Sequence, residues 1–125
     1  MPLPFWDHYS GEILSAQAAR AQAEAQLDKV RVQVSADVAA ARVAFHEASQ
    51  RAERYRLSLV PKSGEATKSV SYAYAKGGAS LVDLLEAERD DNEIRVAAVQ
   101  SMADAISTGA ALLSALGRQD EAGDK

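Results

Sequence analysis

From Ile13 to Leu59 the apolar side chains fall three or four residues apart. The series Ile13, Ala16, Ala19, Ala23, Leu27, Val30, Val34, Val38, Ala41, Phe45, Ala48, Ala52, Tyr55, Leu59 is interleaved with Arg, Gln, Glu and Lys. That is the repeat of one helix face, not of a strand, and its regularity predicts a coiled-coil-like seam. Toward the start the knobs shrink to alanine, which lets a neighbouring helix come closer. No glycine or proline stands between Gly11 and Pro61, so nothing interrupts a helix over that stretch. Ser10 reads as its N-cap, and Glu12 places an acid in the first turn, where the helix dipole favours it. The preceding Pro2-Leu3-Pro4-Phe5-Trp6 reads as extended chain.

Two segments carry reversal signals: Val60-Pro61-Lys62-Ser63-Gly64 and Ala75-Lys76-Gly77-Gly78-Ala79-Ser80. A proline inside a long packed helix persists as a kink, and Ala66, Val70 and Ala73 read as the seam resuming beyond it. Two adjacent glycines accept left-handed angles, and Ser80 with Asp83 forms a capping box ahead of an apolar run. The expected chain is therefore all-α, a long antiparallel α-helical hairpin. Arm one spans 10–75 with a kink near Pro61, the turn is 76–79, and arm two is 80–117, closed by Gly117, with a flexible tail at 118–125. Reversal at Pro61–Gly64, with arms of nearly equal length, stays open as the alternative. Arm two shows two stripes: Leu81, Leu85, Val99, Met102, Ile106, Leu113 and Leu116, and separately Leu84, Ile94, Ala98, Ala105 and Leu112. Such a helix expects neighbours on two sides. Arms of roughly 65 and 37 residues measure about 100 and 55 Å, so the start of arm one lacks an in-chain partner. Either the chain self-associates or it is a piece of a larger assembly.

Composition narrows the chemistry. The 125 residues include 26 alanines, 6% aromatic residues and no cysteine, which fits long helices with thin, close-packed interfaces and excludes disulfides, thiolate catalysis and cysteine-ligated metals. A net charge of -4 gives no drive toward phosphate backbones, so no nucleic-acid partner is expected. The start of the chain lacks a signal-peptide pattern and no run of about 18 apolar residues occurs, so the chain reads as soluble. No nucleophile, base and orienting group can be assembled, and no enzyme activity or cofactor is expected. His8 beside Asp7 and His46 beside Glu47 lack a second histidine at i+4, so no metal site is assigned. Glu88, Arg89, Asp90, Asp91, Glu93 and Arg95 read as a wet helix surface with i,i+4 pairing. Gly109 reads as a close crossing or a tolerated defect.

Taken together, Pro2-Leu3-Pro4-Phe5-Trp6-Asp7, Gly11-Glu12-Ile13, the long alanine-rich helix, Tyr74-x-x-Gly77-x-x-Ser80-Leu81-x-Asp83-Leu84-Leu85 and the closing Ser114-Ala115-Leu116-Gly117 resemble the C-terminal half of a TolC-like outer membrane efflux protein. The opening is most similar to the cobalt, zinc, cadmium and nickel efflux branch. The resemblance implies a fragment of an α-barrel. In that family a homotrimer builds a membrane β-barrel that continues as periplasmic helices and meets a periplasmic adaptor protein and an inner membrane pump. Residues 1–9 would then end a barrel strand, and Gly77-Gly78 would be the periplasmic tip.

The resemblance also implies site residues. Asp83 and Glu86 match acidic positions that face the pore above the tip, forming rings that attract cations; Glu86 stands where aspartate is common. Tyr74, Gly77, Gly78 and Ser80 match the tip and adaptor contact. Ala79 replaces a basic gate partner found in some members, and Gly78 replaces a polar residue. The function expected on this basis is the channel component of a tripartite efflux system exporting heavy-metal cations, in the outer membrane with a periplasmic helical portion. The alternative is a stand-alone coiled-coil interaction module dimerising through the Leu27 to Leu59 seam.

Overall fold

The computed structural model describes residues 7–123, and these form a hairpin of two long helical arms with no strand among the described residues. Arm one comprises α1 (Asp7–Arg54), a single π-helical turn (Tyr55–Leu59) and α2 (Val60–Ala75); arm two is α3 (Leu81–Gly123). The helix is already under way at Asp7, three residues earlier than the Ser10 cap implied. Of the strand remnant assigned to residues 1–9, residues 1–6 lie outside the described residues, and from Asp7 onward it is helix. No proline stands between Pro4 and Pro61, so no backbone N–H is missing near Asp7 to stop the helix from starting there.

Pro61 does not reverse the chain. It falls in the first turn of α2, directly after the π-turn, in which the Val60 N–H donates to Tyr55 O. In a regular α-helix a proline at 61 has no N–H for the carbonyl of Leu57, and its ring crowds that carbonyl; a widened turn relieves the conflict without ending the helix. The extra residue also changes which side chains face inward. Val60, Ser63, Gly64 and Thr67 are half-buried, whereas Leu59 and Ala66 are exposed. Ala66 is thus not part of the seam, although Val70 and Ala73 are half-buried as expected.

The reversal is at Gly77. Its φ is +77°, the one positive value among the described residues; the Gly77 N–H donates to Tyr74 O at 2.9 Å and the Gly78 N–H to Ala73 O at 2.8 Å. These two bonds form a Schellman motif and satisfy the last carbonyls of α2. Beyond it α3 starts with the capping box: the Asp83 N–H donates to Ser80 Oγ at 3.1 Å, and the Ser80 N–H donates to Asp83 Oδ2 at 2.8 Å. At its far end α3 continues through Gly117 to Gly123. Gly117 is therefore no cap, and the proposed tail is helical as far as Gly123, residues 124–125 lying outside the described residues. One exposed glycine costs a helix only about 1 kcal/mol, and the flanking Leu116 and Arg118 are good helix formers.

The interface is thin and built of small residues. Val38, Ala48, Ala98, Ser101 and Ala115 are the buried positions among the described residues. A Cβ at Gly109 would stand 3.2 Å from Phe45 Cε2, so Gly109 is a close-crossing position. Arm two covers arm one only as far as about Val34: every position from Tyr9 to Gln33 is exposed. That overhang of roughly 25 residues is about 37 Å long.

Candidate functional site

The tip brings together most of the residues the sequence singled out. Gly77 and Gly78 make the turn, Ser80 caps α3, and Tyr74 lies on the last turn of α2 at 42% exposure. Tyr72 is more exposed, and the Lys76 ammonium sits 5.6 Å from the centre of its ring, a cation–π pair that presents positive charge at the apex. Sequence reading passed over this pair, although an i,i+4 Tyr–Lys spacing at a helix C-terminus carries the signal.

Asp83 and Glu86 are both exposed on α3, beside the inward-facing Leu84 and Ala87. They differ in what they do locally. Asp83 Oδ2 accepts from both the backbone N–H and the hydroxyl of Ser80 at 2.8 Å, and the backbone bond first, then the hydroxyl, holds its carboxyl below the usual aspartate range. It is therefore a helix-capping acid that keeps its negative charge. Glu86 lies on the same flank one turn further on, with Asp90 following at the next turn, so the acids track along one side of the arm.

Asp91 departs from the wet surface expected of its neighbours. Its side chain is 14% exposed and bonds across the hairpin: Ser63 Oγ donates to Asp91 Oδ1 at 2.6 Å, and the Arg95 Nε donates to Oδ2 at 2.7 Å. The Ser63 hydroxyl, then Arg95, pull its carboxyl below the usual range. One helical turn nearer the tip, Thr67 Oγ1 lies 3.1 Å from Ala87 O and 3.0 Å from Ser63 O, so its single proton serves two carbonyls. Arg51 and Asp104 pair more loosely across the arms at 4.0 Å. Arg89–Glu93 and Arg95–Asp91 are i,i+4 pairs, the pattern read from the sequence.

His46 Nε2 lies 3.0 Å from the Gln50 amide nitrogen on an exposed face, and the His8 side chain lies outside the described residues. Among the described residues no three acidic, histidine or cysteine side chains converge as metal ligands.

The widest feature is apolar. Leu84, Ile94, Ala98, Ala105 and Leu112 face arm one, whereas Leu81, Leu85, Val99, Met102, Ile106 and Leu113 are exposed along the whole length of α3. Leu116 of that second stripe is half-buried. By length and composition α3 between Leu81 and Asp120 is long and apolar enough to cross a membrane; Asp104, inside that span, pairs with Arg51 of arm one. No protein family, curated protein or solved structure matches the chain.

Proposed function

We propose that this hairpin is the periplasmic segment of a trimeric outer membrane channel in a tripartite efflux system, carrying heavy-metal cations. The observation that carries the reading is that α3 is apolar on two faces while the hairpin covers only one, leaving Leu81, Leu85, Val99, Met102, Ile106 and Leu113 at 39–75% exposure. Single exposed apolar residues are ordinary, but a stripe on one helix face, interrupted here only by Glu88 and Asn92 between Leu85 and Val99, implies a packing neighbour. A wall of adjacent hairpins supplies one. The unequal arms support the same reading, since the overhang of arm one then lies against other parts of the barrel.

In this reading the tip meets the adaptor, with Tyr74, Gly77, Gly78 and Ser80 at the contact. Three copies of Asp83 and Glu86 gather negative charge just above it, favouring cations by their field. The test is the open reading frame that encodes the chain. In-frame upstream sequence coding for alternating barrel strands and a first helical repeat supports the proposal; a promoter and start codon directly ahead of Met1 contradict it and leave the stand-alone coiled-coil module. That alternative now has less seam to offer, because the hairpin itself buries Val34, Val38, Ala41, Ala48 and Ala52 wholly or partly.

A further inference from the structure

Arm one carries two overlapping sets of seam residues just beyond the π-turn, and only one set is in use. Val60, Ser63 and Thr67 are turned toward α3, while their immediate predecessors Leu59, Lys62 and Ala66 are exposed. One residue corresponds to about 100° of helical rotation. If Tyr55–Leu59 tightened into a regular α-turn, one residue would be released and each predecessor would take its successor's place. Three of the replacements are chemically competent, whereas the two nearest the tip, Ser69 for Val70 and Tyr72 for Ala73, change polarity or size. Leu59 for Val60 keeps an apolar contact. Ala66 for Thr67 removes a hydroxyl from opposite Ala87 O, a carbonyl inside α3. Lys62 for Ser63 brings an ammonium to Asp91.

Asp91 is the pivot. It is the half-buried acid of the tip-side half of the interface and keeps Arg95 on its own helix through Oδ2 at 2.7 Å. Its other oxygen takes the Ser63 proton now and would take a Lys62 proton after rotation, so the carboxylate is never left without a donor on either side. Lys62 makes no ion pair among the described residues and is available for the exchange. The neighbouring Gly64 adds room for rotation: a Cβ there would find only the Arg95 guanidinium end, at 3.8 Å.

We propose that arm one has two helical phases, the observed π phase and an all-α phase, exchanged at Tyr55–Leu59, with Asp91 trading Ser63 for Lys62 and Pro61 holding the balance toward the π phase. Pro61 sets the bias because a regular α-turn at this point forces its ring against the Leu57 carbonyl. The device would rotate the tip segment of arm one relative to the shaft without unfolding either. It goes beyond the channel reading and does not depend on it.

The test uses the absence of native cysteine. Single Ala66→Cys and Thr67→Cys variants of the full chain are labelled with a thiol reagent, and the ratio of the two rates reports the phase. In the parent background Cys at 66 should react faster than Cys at 67. Adding Pro61→Ala, which removes a helix breaker and so favours folding, should lower the ratio by about tenfold or more, given a proline penalty that corresponds to on the order of a hundredfold in population. Adding Lys62→Met to Pro61→Ala should return the ratio toward the parent value. A ratio unmoved by Pro61→Ala in a chain that keeps its helical circular dichroism overturns the two-phase proposal; a ratio that falls but ignores Lys62→Met overturns the role given to Asp91 and Lys62.

Discussion

Replacing Gly77 by alanine separates the two places where this chain could reverse, because the sign of the effect differs between them. With the turn at Gly77 the new Cβ must sit at φ +77°, where an L side chain crowds its own carbonyl at a cost of roughly 1–2 kcal/mol. No atom lies within 4 Å of that Cβ, so the penalty is purely backbone strain and repacking cannot relieve it. Gly78→Ala is the control: its Cβ would meet Ala73 O at 3.6 Å, an ordinary contact, and its φ is not positive, so a change within about 0.5 kcal/mol is expected. With a turn at Pro61–Gly64 instead, Gly77 would stand inside a helix and Gly77→Ala would stabilise by about 1 kcal/mol. Urea unfolding followed by far-ultraviolet circular dichroism reads the difference directly. The reasoning is refuted if Gly77→Ala raises the midpoint, or if Gly78→Ala lowers it as far as Gly77→Ala does.

Three further outcomes follow from the same geometry. Ser80→Ala removes the cap of α3 and should cost about 1 kcal/mol, seen as a lower urea midpoint; an unchanged midpoint would mean the capping box does not hold the turn. Asp83 and Asp91 both have carboxyl pKa values lowered from 3.8 in the folded chain. A depressed folded pKa contributes stability that is present above the unfolded value and lost as pH falls through the folded one, so unfolding midpoints should drop below about pH 4, and the drop should shrink in an Asp91→Asn variant. Midpoints flat down to pH 2, or a drop of the same size in Asp91→Asn, would contradict this. Ala98→Leu adds volume at a position 5% exposed against arm one and should cost about 1–3 kcal/mol by overpacking, whereas the same change at the exposed Ala103 should cost less than 0.5 kcal/mol, about the surface norm; equal effects would mean the arms do not approach closely at Ala98.

Helix and turn were legible because their signals are local. A seam at three- and four-residue spacing, a Gly-Gly pair and a Ser-x-x-Asp box each act within a turn or two of chain. The inward stripe of α3 was legible for the same reason. The π-turn was not, because it answers a conflict between Pro61 and the carbonyl four residues earlier, and its consequence appears only downstream as a changed face. Reading a constant phase through it put Ala66 in the seam and left Ser63 and Thr67 out. Asp91 was missed for a related reason: its burial depends on Ser63 of the other arm, a partner no spacing along α3 reveals. The continuation of α3 past Gly117 shows the limit of glycine as a stop signal where no left-handed angle is taken up. At the tip, the geometry of Asp83 accounts for its place without a channel: it caps α3. The pore-facing role proposed for it and for Glu86 would require an assembled trimer.

The claim on which the rest stands is that arm one runs straight through Pro61 to a tip at Gly77. Spin labels at Gln50 and Lys68 measure this in the full chain. A helix continuing through the π-turn holds the two sites about 27 Å apart by the rise per residue. A distribution centred near that value is the expected result; one centred below about 15 Å, the separation of side-by-side arms joined at Pro61, would contradict the account.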